Sequence, residues 1–236
     1  MHTGYTLLIQ IKMLGGGIAL PPVSWLLGMA PQSPRVETYV QSVPPVDLVV
    51  HTVGKVCRLA LKANPNMLEI LFCRDDDVLS MSQMGWELRQ MRDKFLSQKA
   101  YRAYSGYALG QLKIMANHNT DHGARRDSIE RWGYDTKNAM HLIRLLLTAR
   151  TLLAEGRLEV YRSERNFLLA IRRGKYSRHE IQKMADDLDQ ECRSLSLRSP
   201  LPSTPDVAGV EQWLVARQRD WVNGEGSLLK EVKRDA

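Results

Sequence analysis

The chain has 236 residues, 44% hydrophobic and 25% charged, the make-up of an ordinary soluble globular chain with room for one large or two small domains. A formal net charge of +7 favours polyanionic partners, nucleotides or nucleic acid among them. No apolar run reaches membrane-span length, and Lys12 interrupts an N-terminal apolar stretch with no basic leader, which argues against a span and a signal peptide. Cys57, Cys73 and Cys192 are odd in number, far apart and form no CxxC, the pattern of a reduced, cytoplasmic chain.

Residues 5–14, YTLLIQIKML, predict a strand. Gly15, Gly16 and Gly17 follow, but no Gly-Lys-Ser/Thr does, so they predict a flexible turn or bulge rather than a phosphate loop. Ile18 to Leu20 form a short apolar run, and Trp25 to Gly28 a helical turn ended by glycine. Residues 29–45 hold four prolines and predict a mobile loop. Val46 to Val50 read as a buried strand carrying one acid, Asp47. Residues 52–63 have helical apolar spacing and stop at Asn64-Pro65-Asn66. Met67 to Phe72 fit a strand or a helix and enclose a second acid, Glu69.

Asp75, Asp76 and Asp77 predict a solvated loop that caps a following helix over 84–96, whose apolar face is Met84, Leu88, Met91 and Phe95. Residues 99–115 predict another helix, with Lys99, Arg102, Gly106, Gly110 and Lys113 along one side and Ser105 beside it. Two glycines on one helix face suggest close approach by a backbone or a ligand, since each costs about 1 kcal/mol relative to alanine. His118 and His122 lie four apart, but no further metal-type residue joins them in a recognised spacing; residues 117–133 predict a loop with one short helix.

Lys137 to Gly156 read as one long helix, apolar around most of its circumference. Lys137, His141, Arg144 and Thr148 recur at helical spacing and fall within a stripe of roughly 60°. A cationic line on a half-buried helix is solvated, or needs acids such as Asp135 and Glu87, or an anionic ligand such as a phosphate. Beyond it, 158–161 suggest a short strand and 167–174 an apolar segment ending at Gly174. Ser177 and Glu180 form a capping box for a helix through Cys192. Residues 194–206 predict a proline-bearing linker, 207–219 a last helix, and 223–236 a charged tail. The pattern is α+β, with expected regions at 1–73, 74–193 and 194–236.

Four stretches, LALKANPNMLEILF (59–72), FLSQKAYRAYSGYALGQLK (95–113), KNAMHLIRLLLTA (137–149) and LLAIRRGKYS (168–177), together resemble the predicted nucleotidyltransferases of bacteria and phages in the DNA polymerase beta-like superfamily. The resemblance spans roughly 17–192. It implies a small mixed β-sheet catalytic core followed by a helical domain, and transfer of a nucleoside monophosphate from an NTP to a nucleic-acid or small-molecule acceptor with Mg²⁺. Asp47 is similar to the family's third metal-binding acid, and Glu69 is a further candidate ligand. Lys99, Arg102, Ser105, Lys137, His141 and Arg144 are the candidates to face phosphates. The family's first aspartate pair, counted back from Pro21 and Trp25, falls at Lys12 and Leu14, and no Asp or Glu precedes Glu37. The alternative is a non-catalytic nucleotide- or nucleic-acid-binding protein derived from that family, with RNA or DNA as partner.

Overall fold

Five short apolar segments, as far as Met81, pair into one mixed sheet; the rest of the described chain is helical, an α+β architecture. The computed structural model describes residues 6–11, 16–27, 38–43, 46–116 and 123–224. Predictions about Lys12, Leu14, Gly15, Gly28, His118, His122 and the tail from 225 lie outside them. The chain divides into two compact units, one of residues 1–62, 66–95 and 205–236, the other of 63–65 and 96–204.

In the first unit the strands are β1 (Thr6–Ile11), β2 (Gly16–Leu20), β3 (Thr38–Val43), β4 (Val46–Thr52) and β5 (Val78–Met81). Their order is β3-β4-β2-β1-β5. Only β2 and β4 run parallel, from Gly16↔Val49 to Ala19↔Thr52. Helices α1 (Val23–Leu27), α2 (Val53–Ala60), α3 (Pro65–Leu71) and α4 (Gln83–Gln90) lie between and after the strands. The last helix, α10 (Val207–Val222), also belongs to this unit: Trp213 Nε1 donates to Glu87 Oε2 at 3.1 Å and Trp221 Nε1 to the Pro21 carbonyl at 3.1 Å.

Several expectations are corrected here. Part of 29–45 is strand β3: Thr38, Tyr39, Val40 and Val43 are β-formers, and six residue pairs bind it to β4. Gly16 and Gly17 are strand residues, not a turn; β2 is buried between two partners, and a Cβ at Gly17 would come within 2.9 Å of the Ile9 carbonyl oxygen. Residues 67–72 resolve as helix, with Pro65 at its first position, where no N–H is needed. The aspartate run is a 3-10 turn leading into β5 instead of a helix. Asp75 meets the buried Arg89 guanidinium at 2.8 Å, and Arg89 donates to the Cys73 carbonyl at 2.6 Å. The predicted helix 84–96 is split, α4 ending at Gln90 before a 3-10 turn over Arg92–Phe95.

The second unit is built from α5 (Ala100–Ala116), α6 (Gly123–Trp132), α7 (Thr136–Glu155), α8 (Arg165–Arg172) and α9 (Arg178–Ser196). Its core joins Ala108 and Met115 of α5, Leu142, Ile143, Leu146 and Leu147 of α7, Leu168 and Ile171 of α8, and Ile181 and Ala185 of α9. Each fully buried Leu or Ile contributes about 1.5–3 kcal/mol. The strand suggested at 158–161 is absent: the described residues of this unit hold no strand to pair with it. Arg157 instead bridges Glu155 and Glu159. All three cysteines are free and buried, and burial pushes the Cys57 and Cys192 thiols up to about 12.

Glycine substitutions at three positions test the packing, with opposite signs. A Cβ at Gly85 would fall 2.3 Å from the Leu8 carbonyl oxygen and 2.7 Å from Ile9 Cγ1, so Gly85→Ala loses about 1–3 kcal/mol in denaturant unfolding although it sits in a helix. Gly106 and Gly110 have nothing within 4 Å of an added Cβ, so close helix packing does not explain them. Alanine at either raises stability by about 1 kcal/mol. A stabilised Gly85→Ala would contradict the α4–β1 contact.

Candidate functional site

Helix α7 is held at both ends. Asp135, buried, accepts from the Lys137 and Asn138 backbone N–H groups at 2.9 and 3.1 Å, and Asn138 Nδ2 donates to its second oxygen at 2.8 Å. Gly156 closes the other end at φ +71°, a left-handed conformation suited to glycine. Thirteen of the twenty helix residues are buried, so the rotation of the polar stripe about the axis is set by the core.

The stripe changes character along the helix. Lys137 is exposed; His141 and Arg144 are half-buried; Thr148 is buried and donates to the Arg144 carbonyl at 2.8 Å. Arg144 Nη2 and His141 Nδ1 are 3.1 Å apart, which requires an unprotonated Nδ1 to accept. Burial, then Arg144 and Lys137, pull the His141 pKa down to about 4. Near neutrality the stripe is thus a neutral imidazole flanked by two cations. Thr151, one turn on, accepts from the buried Arg162 at 3.1 Å, and Arg162 pairs with Glu164 at 2.9 Å.

On α5, Arg102 is exposed, as is Lys99 just before the helix. Ser105 donates to an Asp189 oxygen on α9, and the Tyr101 hydroxyl reaches the other at 3.5 Å. Ser105 and Asp189 line a cavity of about 290 Å³ with Asp186, Arg193, Leu109 and Leu142. Asp189 was not anticipated from the sequence; its place beside the apolar Ile181–Leu188–Cys192 face of α9 was the available signal. Of the acids considered for internal neutralisation, Asp135 caps α7 and Glu87 lies in the first unit, bound by Trp213 and Arg217.

Asp47 and Glu69 belong to the first unit and the six candidate phosphate-facing residues to the second. Asp47 pairs with Ser42 across β3 and β4, and its side chain lies outside the described residues. Glu69 is buried on α3.

The family model of the RNA repair pathway DNA polymerase beta family, RlaP, matches residues 16–216. The chain belongs to this family. No curated protein and no solved structure gives a match. Among the described residues no helix is long and apolar enough to cross a membrane.

Membership of the RNA repair pathway DNA polymerase beta family poses a metal question that the donor set answers. Paired Mg²⁺ ions need several carboxylates converging on one face. β2 (GGIAL), beside β4 in the sheet order, and β1 (TLLIQI), beside β2, carry none. No three His, Cys, Asp or Glu side chains gather as a metal site among the described residues. The described residues of β1 and β2 supply no carboxylate for a two-metal centre.

The His141 environment sets a pH dependence. Its folded pKa lies below the ordinary 6.5, so the unfolded chain binds the proton more tightly. The stability it contributes is complete above pH 6.5 and is lost as pH falls towards 4. An NMR titration should place the His141 midpoint near 4, and Arg144→Ala should move it upward; an unshifted midpoint near 6.5 would refute the described burial.

Proposed function

We propose that this chain is a nucleotidyltransferase-family protein of RNA repair that binds a nucleoside triphosphate and an RNA acceptor. Lys137 and Arg144 meet the triphosphate, the neutral His141 adds a hydrogen-bonding group between them, and Lys99 and Arg102 of the same unit add positive charge. The observation that carries this is the α7 stripe: two cations flanking a depressed-pKa imidazole on a helix whose rotation is fixed by its burial. Polyphosphate supplies negative charge and acceptor oxygens complementary to such a line. RNA enters through the family's place in an RNA repair pathway.

The family reaction joins an acceptor hydroxyl oxygen to the α-phosphorus of the NTP. The bond from that phosphorus to the pyrophosphate oxygen breaks, and the hydroxyl proton leaves to a base. Asp47, on the one strand parallel to β2, favours this transfer reading. The carboxylate-free β1 and β2 favour binding without transfer, and the donor set makes binding the better supported reading.

Filter binding of each labelled NTP at low and high salt, with and without Mg²⁺, tests the proposal. The expected result is salt-weakened binding that changes little with Mg²⁺, and a loss of about tenfold for each of Lys137→Ala and Arg144→Ala, the scale of a charge-assisted hydrogen bond. No NTP binding at low salt overturns it. A labelled RNA product that disappears in Asp47→Ala establishes transfer over binding alone.

A further inference from the structure

The ends of three helices in the second unit meet around Thr136, the residue before Lys137. Ser128 of α6 accepts from the Thr136 N–H at 3.1 Å, and Arg172 at the end of α8 donates to Thr136 Oγ1 at 2.8 Å. The Tyr134 hydroxyl donates to the Tyr176 carbonyl at 2.5 Å. Trp132 packs on Gly174, whose φ is +72° and on which a Cβ would fall 2.3 Å from the indole. Glycine there is required by backbone and neighbour alike. These contacts draw α6, the start of α7 and the turn after α8 into one face.

That face is cationic and carries an open aromatic. Residues 165–178 contain Arg165, Arg172, Arg173, Lys175 and Arg178 and no acid. Arg131, Arg172, Arg173 and Lys175 are exposed and make no ion pair among the described residues. Of the acids nearby, Glu130 pairs with Arg126, Asp135 caps the α7 N-terminus and Glu180 binds Ser177, which leaves Asp127 on α6 as one exposed acid against these cations. The Arg131 guanidinium carbon lies 4.8 Å from the Trp132 ring centroid, and Trp132 remains 38% exposed. Helix C-termini account for Arg131 and Arg172, each in the last turn of its helix, but not for Lys175 beyond α8 or for the exposed tryptophan.

We propose that this face binds single-stranded RNA, an unpaired base stacking on the Arg131–Trp132 pair while Arg173 and Lys175 meet the adjoining phosphates. This rests on the reading of RNA as the partner and names the surface that holds it. Stacking planes interleaved with cations suit a strand whose bases are free; a duplex hides its base faces. A protein partner has no need of the tryptophan–guanidinium stack, whereas an RNA strand uses both parts.

Fluorescence anisotropy with a labelled single-stranded RNA of about 12 nucleotides, and the matching duplex, tests it on the full chain. The wild type should prefer the single strand, with affinity falling as salt rises. Arg173→Glu with Lys175→Glu should weaken binding at least about tenfold, and Trp132→Ala about tenfold, with Trp132→Phe recovering part of the loss. NTP binding should stay unchanged in the Arg173/Lys175 variant, which also controls for folding alongside its melting temperature. Wild-type RNA binding that ignores both variants overturns this surface alone. Equal binding of heparin and RNA, indifferent to Trp132, reduces the face to a general cation patch and also overturns it. NTP binding with no RNA binding removes RNA as partner.

Discussion

Burial of α7 is the constraint on which the second unit depends. With Leu142, Ile143, Leu146, Leu147, Leu152 and Leu153 turned into the core, the helix cannot rotate without exposing several large side chains. The positions of Lys137, His141 and Arg144 follow from that fixed rotation. Their partial desolvation follows too, and with it the neutral imidazole between two cations. Asp135 at one end and Gly156 at the other set where the stripe begins and stops.

β2 sits between β1 and β4 with Ile18, Ala19 and Leu20 fully buried, so the sheet is held by apolar contact and the parallel β2–β4 ladder. None of that depends on carboxylates. The candidate phosphate-facing cations and the candidate metal-facing acids belong to separate compact units.

Long periodic elements were legible in the sequence because one face repeats over several turns: α7 within one residue at each end, and the Ser177–Glu180 capping box of α9 as observed. β3 was hidden because its six residues sit inside a proline-rich stretch, and only pairing with β4 makes them a strand. Residues 158–161 failed the other way, having strand composition but no partner. For the site, residue types and spacing on α7 were readable, whereas the partner of Ser105 was not, since Asp189 lies 84 residues away on another helix. The Trp132–Gly174 contact is equally long-range, and the glycine signalled only a turn.

The central claim is that the α7 stripe is a polyphosphate site, and the His141 imidazole is its built-in reporter. Inorganic triphosphate titrated into the full chain, with the His141 pKa followed by NMR, tests it most directly. An anion seated beside Lys137 and Arg144 offsets their charge, so the pKa should climb from about 4 towards 6.5 and saturate with ligand. A His141 midpoint that stays put at saturating triphosphate would contradict the account.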